Sequence, residues 1–175
     1  LISRLLQTHP NARIVHRLDY ATSGLVIIPL NHEAQKSLSK QFQQRSVAKQ
    51  YTALVDGIIG ETSGRIDLPL ICDWPNRPKQ MVDFEMGKPA QTDFTVLDRD
   101  SNLNVTRVEL KPITGRSHQL RVHMLALGHP ILGDRFYARG NALTASPRLL
   151  LHAETIAFEH PTNGDRITVT VSPSF

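Results

Sequence analysis

The chain has 175 residues, about the size of one ordinary domain and long enough to bury a core. Hydrophobic residues at 40% and charged residues at 21% describe a soluble globular protein, with no apolar run near the ~20 residues of a bilayer span and nothing like a signal peptide. Net charge is +4, and Cys72 is the only cysteine, which excludes an internal disulfide and fits a reducing cytoplasm, while eight scattered histidines show no zinc-ligand spacing.

Ile2, Leu5 and Leu6 fall at i, i+3 and i+4, so residues 1–7 read as the end of a helix closed by Pro10 and Asn11. The polar loop His16-Arg17-Leu18-Asp19-Tyr20-Ala21-Thr22-Ser23-Gly24 then runs into Leu25-Val26-Ile27-Ile28, expected as a buried strand. Such a loop reads in two ways. It is a turn with Asp19 paired to Arg17 or to backbone N–H groups, or it is a catalytic loop held on a rigid frame. Asn31 suits the N-cap of a helix over about residues 32–45, whose stripe Ala34, Leu38 and Phe42 is core. Residues 49–55 read as a strand ending at Asp56-Gly57. Residues 63–80 carry Pro69, Pro75 and Pro78 and are expected as an ordered surface excursion, with Trp74 pinning the loop to the core rather than stacking on a base.

Residues 92–97 and 103–111 read as paired strands, the second with Arg107, Glu109 and Lys111 on one face. After a loop over residues 111–116, Ser117 is expected to cap a helix running to Leu127, with Gly128 at C′ and Pro130 preventing continuation. Residues 148–153, 155–158 and 166–171 supply the last strands. Hairpin-type links and two or three helices predict an α+β fold with a mainly antiparallel sheet. From Ser101 to Arg148 seven Lys or Arg stand against Glu109 and Asp134 alone, a local balance of +5. That suits a polyanion-binding face, and on charge alone a solvated face accounts for it equally well.

The Asp19 carboxylate can act as nucleophile or general base. Partial burial raises a carboxyl pKa unless a cation touches it, and an arginine fork matches a carboxylate; the residues alone do not say which arginine serves. The string from His16 to Gly24 resembles the HRLD and TSG signature of the pseudouridine synthases of the RluA type, in which the aspartate is catalytic, and Asp19 is the matching position. Gly115-Arg116-Ser117-His118-Gln119-Leu120-Arg121-Val122-His123 is similar to that family's GRxHQLRxH motif, and the resemblance implies that Arg116 pairs with Asp19. Lys49-Gln50-Tyr51-Thr52-Ala53 resembles its KxYxA pattern, which implies that Tyr51 stacks on the target base; a phenol can also accept or donate a proton. Leu149-Leu150-Leu151-His152-Ala153 resembles the last motif and offers Leu150 or Leu151 as the pocket-lining residue. His16, Arg17, Thr22, Lys49, His118 and Arg121 lie in these motifs and are the expected RNA contacts. Arg17 is placed to enter the gap left by a flipped base, and Arg121 to reach phosphate.

These four motifs stand in the family's order between about residues 13 and 161, and residues 68–80 and 128–137 are similar to the branch that acts on both 23S rRNA and tRNA. The resemblance implies one catalytic domain over residues 1–175, of the α+β pseudouridine synthase fold. It implies extrusion of a uridine, cleavage of its N1–C1′ bond, rotation of the base and rejoining through C5, in 23S rRNA and in the tRNA anticodon stem-loop. It calls for no cofactor and no metal, and a cytoplasmic monomer is expected. The family's N-terminal strand with a KPxGL-like motif does not precede Leu1, so a fragment lacking part of the sheet and pocket wall is expected. Two other classes share some features. A catalytically silent RNA-binding module needs no aspartate and arginine together, and an N-glycosidic hydrolase shows a second carboxylate, which no motif here supplies.

Overall fold

In the computed structural model, which describes residues 2–175, α1 (Ile2–Thr8) precedes the polar loop, and that loop ends in the two-residue β1 (Ser23–Gly24). Then come α2 (His32–Gln43), β2 (Ala48–Asp56), β3 (Ser63–Asp67), β4 (Leu70–Cys72), a 3-10 turn (Trp74–Asn76) and β5 (Gln80–Val82). β6 (Gln91–Asp100) and β7 (Val105–Pro112) form a long hairpin, α3 (Gln119–Ala126) and α4 (Gly140–Thr144) follow, and β8 (Leu151–Glu159) and β9 (Arg166–Thr170) close the chain of elements.

One mixed sheet runs β1-β8-β2-β7-β6-β3, and β9 also pairs with β8. The outer edge of β8 is thus shared. β1 lies parallel along His152 and Ala153, and β9 lies antiparallel along Thr155 to Glu159. The other pairings within the sheet are antiparallel, as an α+β fold with hairpin links requires. Strand alternation turns Ala53, Val55, Val108 and Leu110 to one face, where Leu120 and Met124 of α3 cover them and complete the core. On the opposite face Leu54 and Val105 meet a smaller cluster around Leu132, Ala138 and Ala142.

Local chemistry explains the elements that matched expectation. Asn31 caps α2 by accepting the Ala34 N–H at 2.8 Å, and α3 ends one residue before Leu127 with Gly128 left-handed at φ 92. Several expectations are corrected. Residues 25–28 form no strand: Leu25 N–H bonds Ala153 O at 2.9 Å, and beyond that point β9 already occupies the edge of β8. Residues 63–67 are no surface excursion but the β3 edge of the main sheet, and only the β4–β5 hairpin stands apart from it. Trp74 does not pin that hairpin. Leu70, Ala90, Val122 and Tyr137 already fill the space beneath it, and the indole stays 64% exposed under the Arg77 guanidinium, 4.5 Å from its centroid. Ser117 does not cap α3, because the backbone turns left-handed at His118 (φ 53) and the helix starts after it. One continuous strand, β8, stands where two were expected, residues 148–150 lie outside it, and α4 was not foreseen. Of the first expected helix, Leu1 lies outside the described residues.

Candidate active site

The motif loop is fastened at both ends. Gly24 sits at φ 108, and a Cβ there would stand 2.2 Å from Ala153 O, so only glycine lets the loop lie this close to β8. At the other end the His16 ring stacks on Phe42 of α2 at 4.5 Å, and its Nε2 accepts the Ile27 N–H at 2.8 Å. Burial, aided by the Lys49 charge, pushes His16 down to about 4, so the ring is neutral and free to accept. His16, which also lines the cleft, therefore holds the loop in shape. Between these anchors Thr22 N–H closes a turn onto Asp19 O at 3.0 Å.

The loop borders an open cleft of about 740 Å³, large enough for a nucleoside and its neighbours. Asp19, Arg17 and Thr22 form one side, the start of β2 with Lys49 and Tyr51 another, and Arg116, His118 and Leu151 also line it. A register shift in the β2–β8 ladder falls between Gln50 and Tyr51, the kind of bulge that re-aims a side chain beside a site. Burial and the Asp19 charge push Tyr51 up to about 12, so its phenol keeps its proton and offers a flat face, not a phenolate base.

Beneath the cleft lies a row of three charged groups. Arg121, on α3, donates from Nη1 to Asp19 Oδ2 at 3.4 Å, and from Nε and Nη2 to the two oxygens of Asp134, each at 2.7 Å. Asp134 is fully buried and also accepts the backbone N–H groups of Phe136 at 2.9 Å and Tyr137 at 3.3 Å. Burial opposes the Arg121 charge, but the Asp134 hydrogen bonds and the two carboxylates outweigh it and raise its pKa. The guanidinium also stacks between the Phe136 and Tyr137 rings at 5.2 and 5.0 Å.

The pairing of Arg116 with Asp19 is therefore corrected. Gln119 accepts both Arg116 N–H (3.0 Å) and the Thr114 hydroxyl (2.7 Å), which turns the Arg116 side chain toward Pro89 O at 3.1 Å. Arg116 remains on the cleft wall, but Arg121 is the cation that touches Asp19. For the same reason Arg121 does not reach out to phosphate; it is only 4% exposed. Leu151 lines the cleft, whereas Leu150 packs on Leu132, Ala138 and Ala142. His118 lines the cleft with Nδ1 2.7 Å from the Tyr137 hydroxyl, which itself accepts Gln80 N–H at 2.8 Å. Burial and Arg121 both lower the His118 pKa, which favours a neutral ring whose Nδ1 accepts a hydrogen bond from the Tyr137 hydroxyl. Asp134, Gln119 and Tyr137 were not among the expected site residues. A signal for the first existed: Arg121 stands among Leu120, Val122 and Met124, and a cation inside an apolar helix face needs a buried carboxylate.

A carboxylate held against a buried arginine, a flat phenol beside it and a basic rim fit chemistry on a base within a polyanion. The chain belongs to the RNA pseudouridylate synthase family, which matches residues 1–126, and it is thus an isomerase that acts on RNA. Among its relatives is the dual-specificity RNA pseudouridine synthase RluA of Salmonella typhimurium, 54% identical over the whole chain and 80% of the relative's length. The protein of the same name from Pasteurella multocida is 52% identical over 99% of this chain and 79% of its own. Among solved structures, human RNA pseudouridylate synthase domain containing 1 superposes with a TM-score of 0.86, at 33% identity over 99% of this chain and 74% of that one. Among the described residues no helix is long and apolar enough to cross a membrane.

Proposed function

We propose that this chain converts uridine to pseudouridine in two kinds of RNA, 23S rRNA and a tRNA anticodon stem-loop, as a single catalytic domain working as a cytoplasmic monomer. The observation that supports this reading best is the row Asp19–Arg121–Asp134 under a cleft that also holds Tyr51. In the reaction the N1–C1′ bond of uridine breaks, C5 bonds to C1′, the C5 proton leaves and N1 gains one. Asp19 is the catalytic carboxylate, held in place by Arg121. Tyr51 stacks on the extruded base, Leu151 closes the apolar side of the pocket, and Arg17 fills the gap that the base leaves. Thr22, His118 and Arg116 contact the RNA from the walls. Loops suit such a substrate because an unpaired base is extruded at least cost.

The test compares the parent with Asp19→Asn on an anticodon stem-loop and a 23S rRNA hairpin, with pseudouridine read as reverse-transcriptase stops at carbodiimide adducts. Product from the parent on both RNAs and none from the variant is expected. Equal product from both proteins would reject Asp19 as the centre, and product on one RNA alone would reject the dual specificity.

A further inference from the structure

The cleft wall also holds Arg45 and Lys49, which the Asp19 row does not use. α2 ends in the double hydrogen-bond pattern of a Schellman motif, Ser46 N–H to Gln41 O at 3.0 Å and Arg45 N–H to Phe42 O at 3.2 Å. That motif places a left-handed residue at its C′ position, where glycine is the usual choice, and here it is Arg45, at φ 59. A side chain in this conformation is strained, and strain of this kind is found at functional sites. Four residues on, Lys49 leaves β2 and crosses the cleft. Its Nζ reaches the Gly115 side of the cleft, 3.9 Å from the point where a Cβ would stand on that residue. The ion pairs among the described residues are Arg65–Asp93, Lys111–Glu109, Arg121–Asp19 and Arg121–Asp134, and neither Arg45 nor Lys49 takes part in one. Arg45 and Lys49 both line the cleft, and burial, with the Arg45 charge after it, lowers the Lys49 pKa.

We propose that Arg45 and Lys49 form a seat for one phosphodiester of the RNA strand that carries the target uridine. A phosphate fits better than a base carbonyl, because only an anion offsets the repulsion between exposed Arg45 and half-buried Lys49 on one cleft wall. The geometry also suits it: Lys49 and Tyr51 both face the cleft, roughly 7 Å apart along the strand, so a base on Tyr51 brings its own backbone toward the ammonium. The seat rests on the RNA-modifying reading given above and adds where the strand is gripped.

The test is equilibrium binding of a stem-loop RNA across a salt series, with melting of the free protein alongside. Arg45→Gly relieves the left-handed strain, so its Tm should rise by about 2–4 °C while its Kd weakens roughly tenfold. The slope of log K against log salt should become shallower by about 0.7 for Arg45→Gly and also for Lys49→Gln. Replacing a single linkage of the RNA by an uncharged methylphosphonate should weaken the parent at one position and leave Lys49→Gln indifferent to it. Unchanged slopes in both variants, or a lower Tm for Arg45→Gly, would overturn the seat. So would equal sensitivity of parent and Lys49→Gln to every methylphosphonate. Binding is read without turnover, so a parent that binds RNA yet makes no pseudouridine rejects the catalytic reading and leaves the seat to the slopes. A parent that binds neither RNA rejects both.

Discussion

Asp134 and Asp19 are both carboxylates on Arg121, and their removal should have opposite consequences. Asp134 is fully buried and accepts four hydrogen bonds, two of them from the guanidinium at 2.7 Å. Asp134→Asn puts an N–H₂ group against one of these donors and strands Arg121 in the interior, and breaking a buried pair in this way costs about 3–5 kcal/mol. Asp19 contributes one longer bond of 3.4 Å, and its side chain is 22% exposed. Pairs of that kind contribute about 1 kcal/mol or less, so Asp19→Asn should unfold close to the parent. Activity inverts the order. Asp19→Asn should show no product, while Asp134→Asn, with Arg121 free to drift by an ångström, should lose about 10²-fold in single-turnover rate. Urea unfolding and single-turnover pseudouridine formation on the same three proteins decide the matter. If Asp19→Asn loses as much stability as Asp134→Asn, or if Asp134→Asn keeps the full rate, Arg121 is not positioned as described.

Gly24→Ala forces a Cβ onto the backbone of β8 at a left-handed position, so it should destabilise by about 1–3 kcal/mol in urea unfolding and depress turnover with it; a silent change would show that the loop docks otherwise. Tyr51 and Tyr137 are both pushed to about 12, and an alkaline titration followed by phenolate absorbance should show that Tyr51→Phe removes signal only from its late phase. His16 has a folded pKa of about 4 against 6.5 when free, so the unfolded chain binds the extra proton. Stability should fall as pH drops from about 6.5 toward about 4, and His16→Gln should flatten that slope in acid unfolding. Gln119→Ala removes the amide that ties Thr114, Arg116, Gln91 and Thr92 together, and it should raise the RNA concentration needed for half-maximal rate as the 113–116 loop loosens.

Elements governed by local chemistry could be read in advance. The Asn31 cap, the alternation of Thr106, Val108 and Leu110, and Gly128 after α3 each act within a few residues, and each element formed where its residues called for it. Errors arose where a distant segment decided the outcome. Leu25 to Ile28 has strand composition, but β9, more than 130 residues later, takes the edge it would need. Arg116 was expected on Asp19 because the GRxHQLRxH resemblance implied it, while the residues alone left the choice of arginine open. What redirects it is the Gln119 amide, and what fills its place is an arginine on the next turn of chain. Of the residues that the motifs singled out, Asp19, Tyr51, Arg17, Thr22, Lys49, His118 and Leu151 line one cleft, because the segments that carry them converge there.

The sharing of the β8 edge also bears on when the enzyme can exist. Ser23, in the Asp19 loop, bonds His152 across 129 residues, and Asp19 meets Arg121 across 102. A chain emerging N-terminus first carries the Asp19 carboxylate with no edge to dock on and no cation to meet until α3 and β8 have followed. Contacts of such long range are slow to form and come late. The cleft is therefore assembled only once β8 has emerged, and a nascent chain that stops short of β8 has the motif loop without a site.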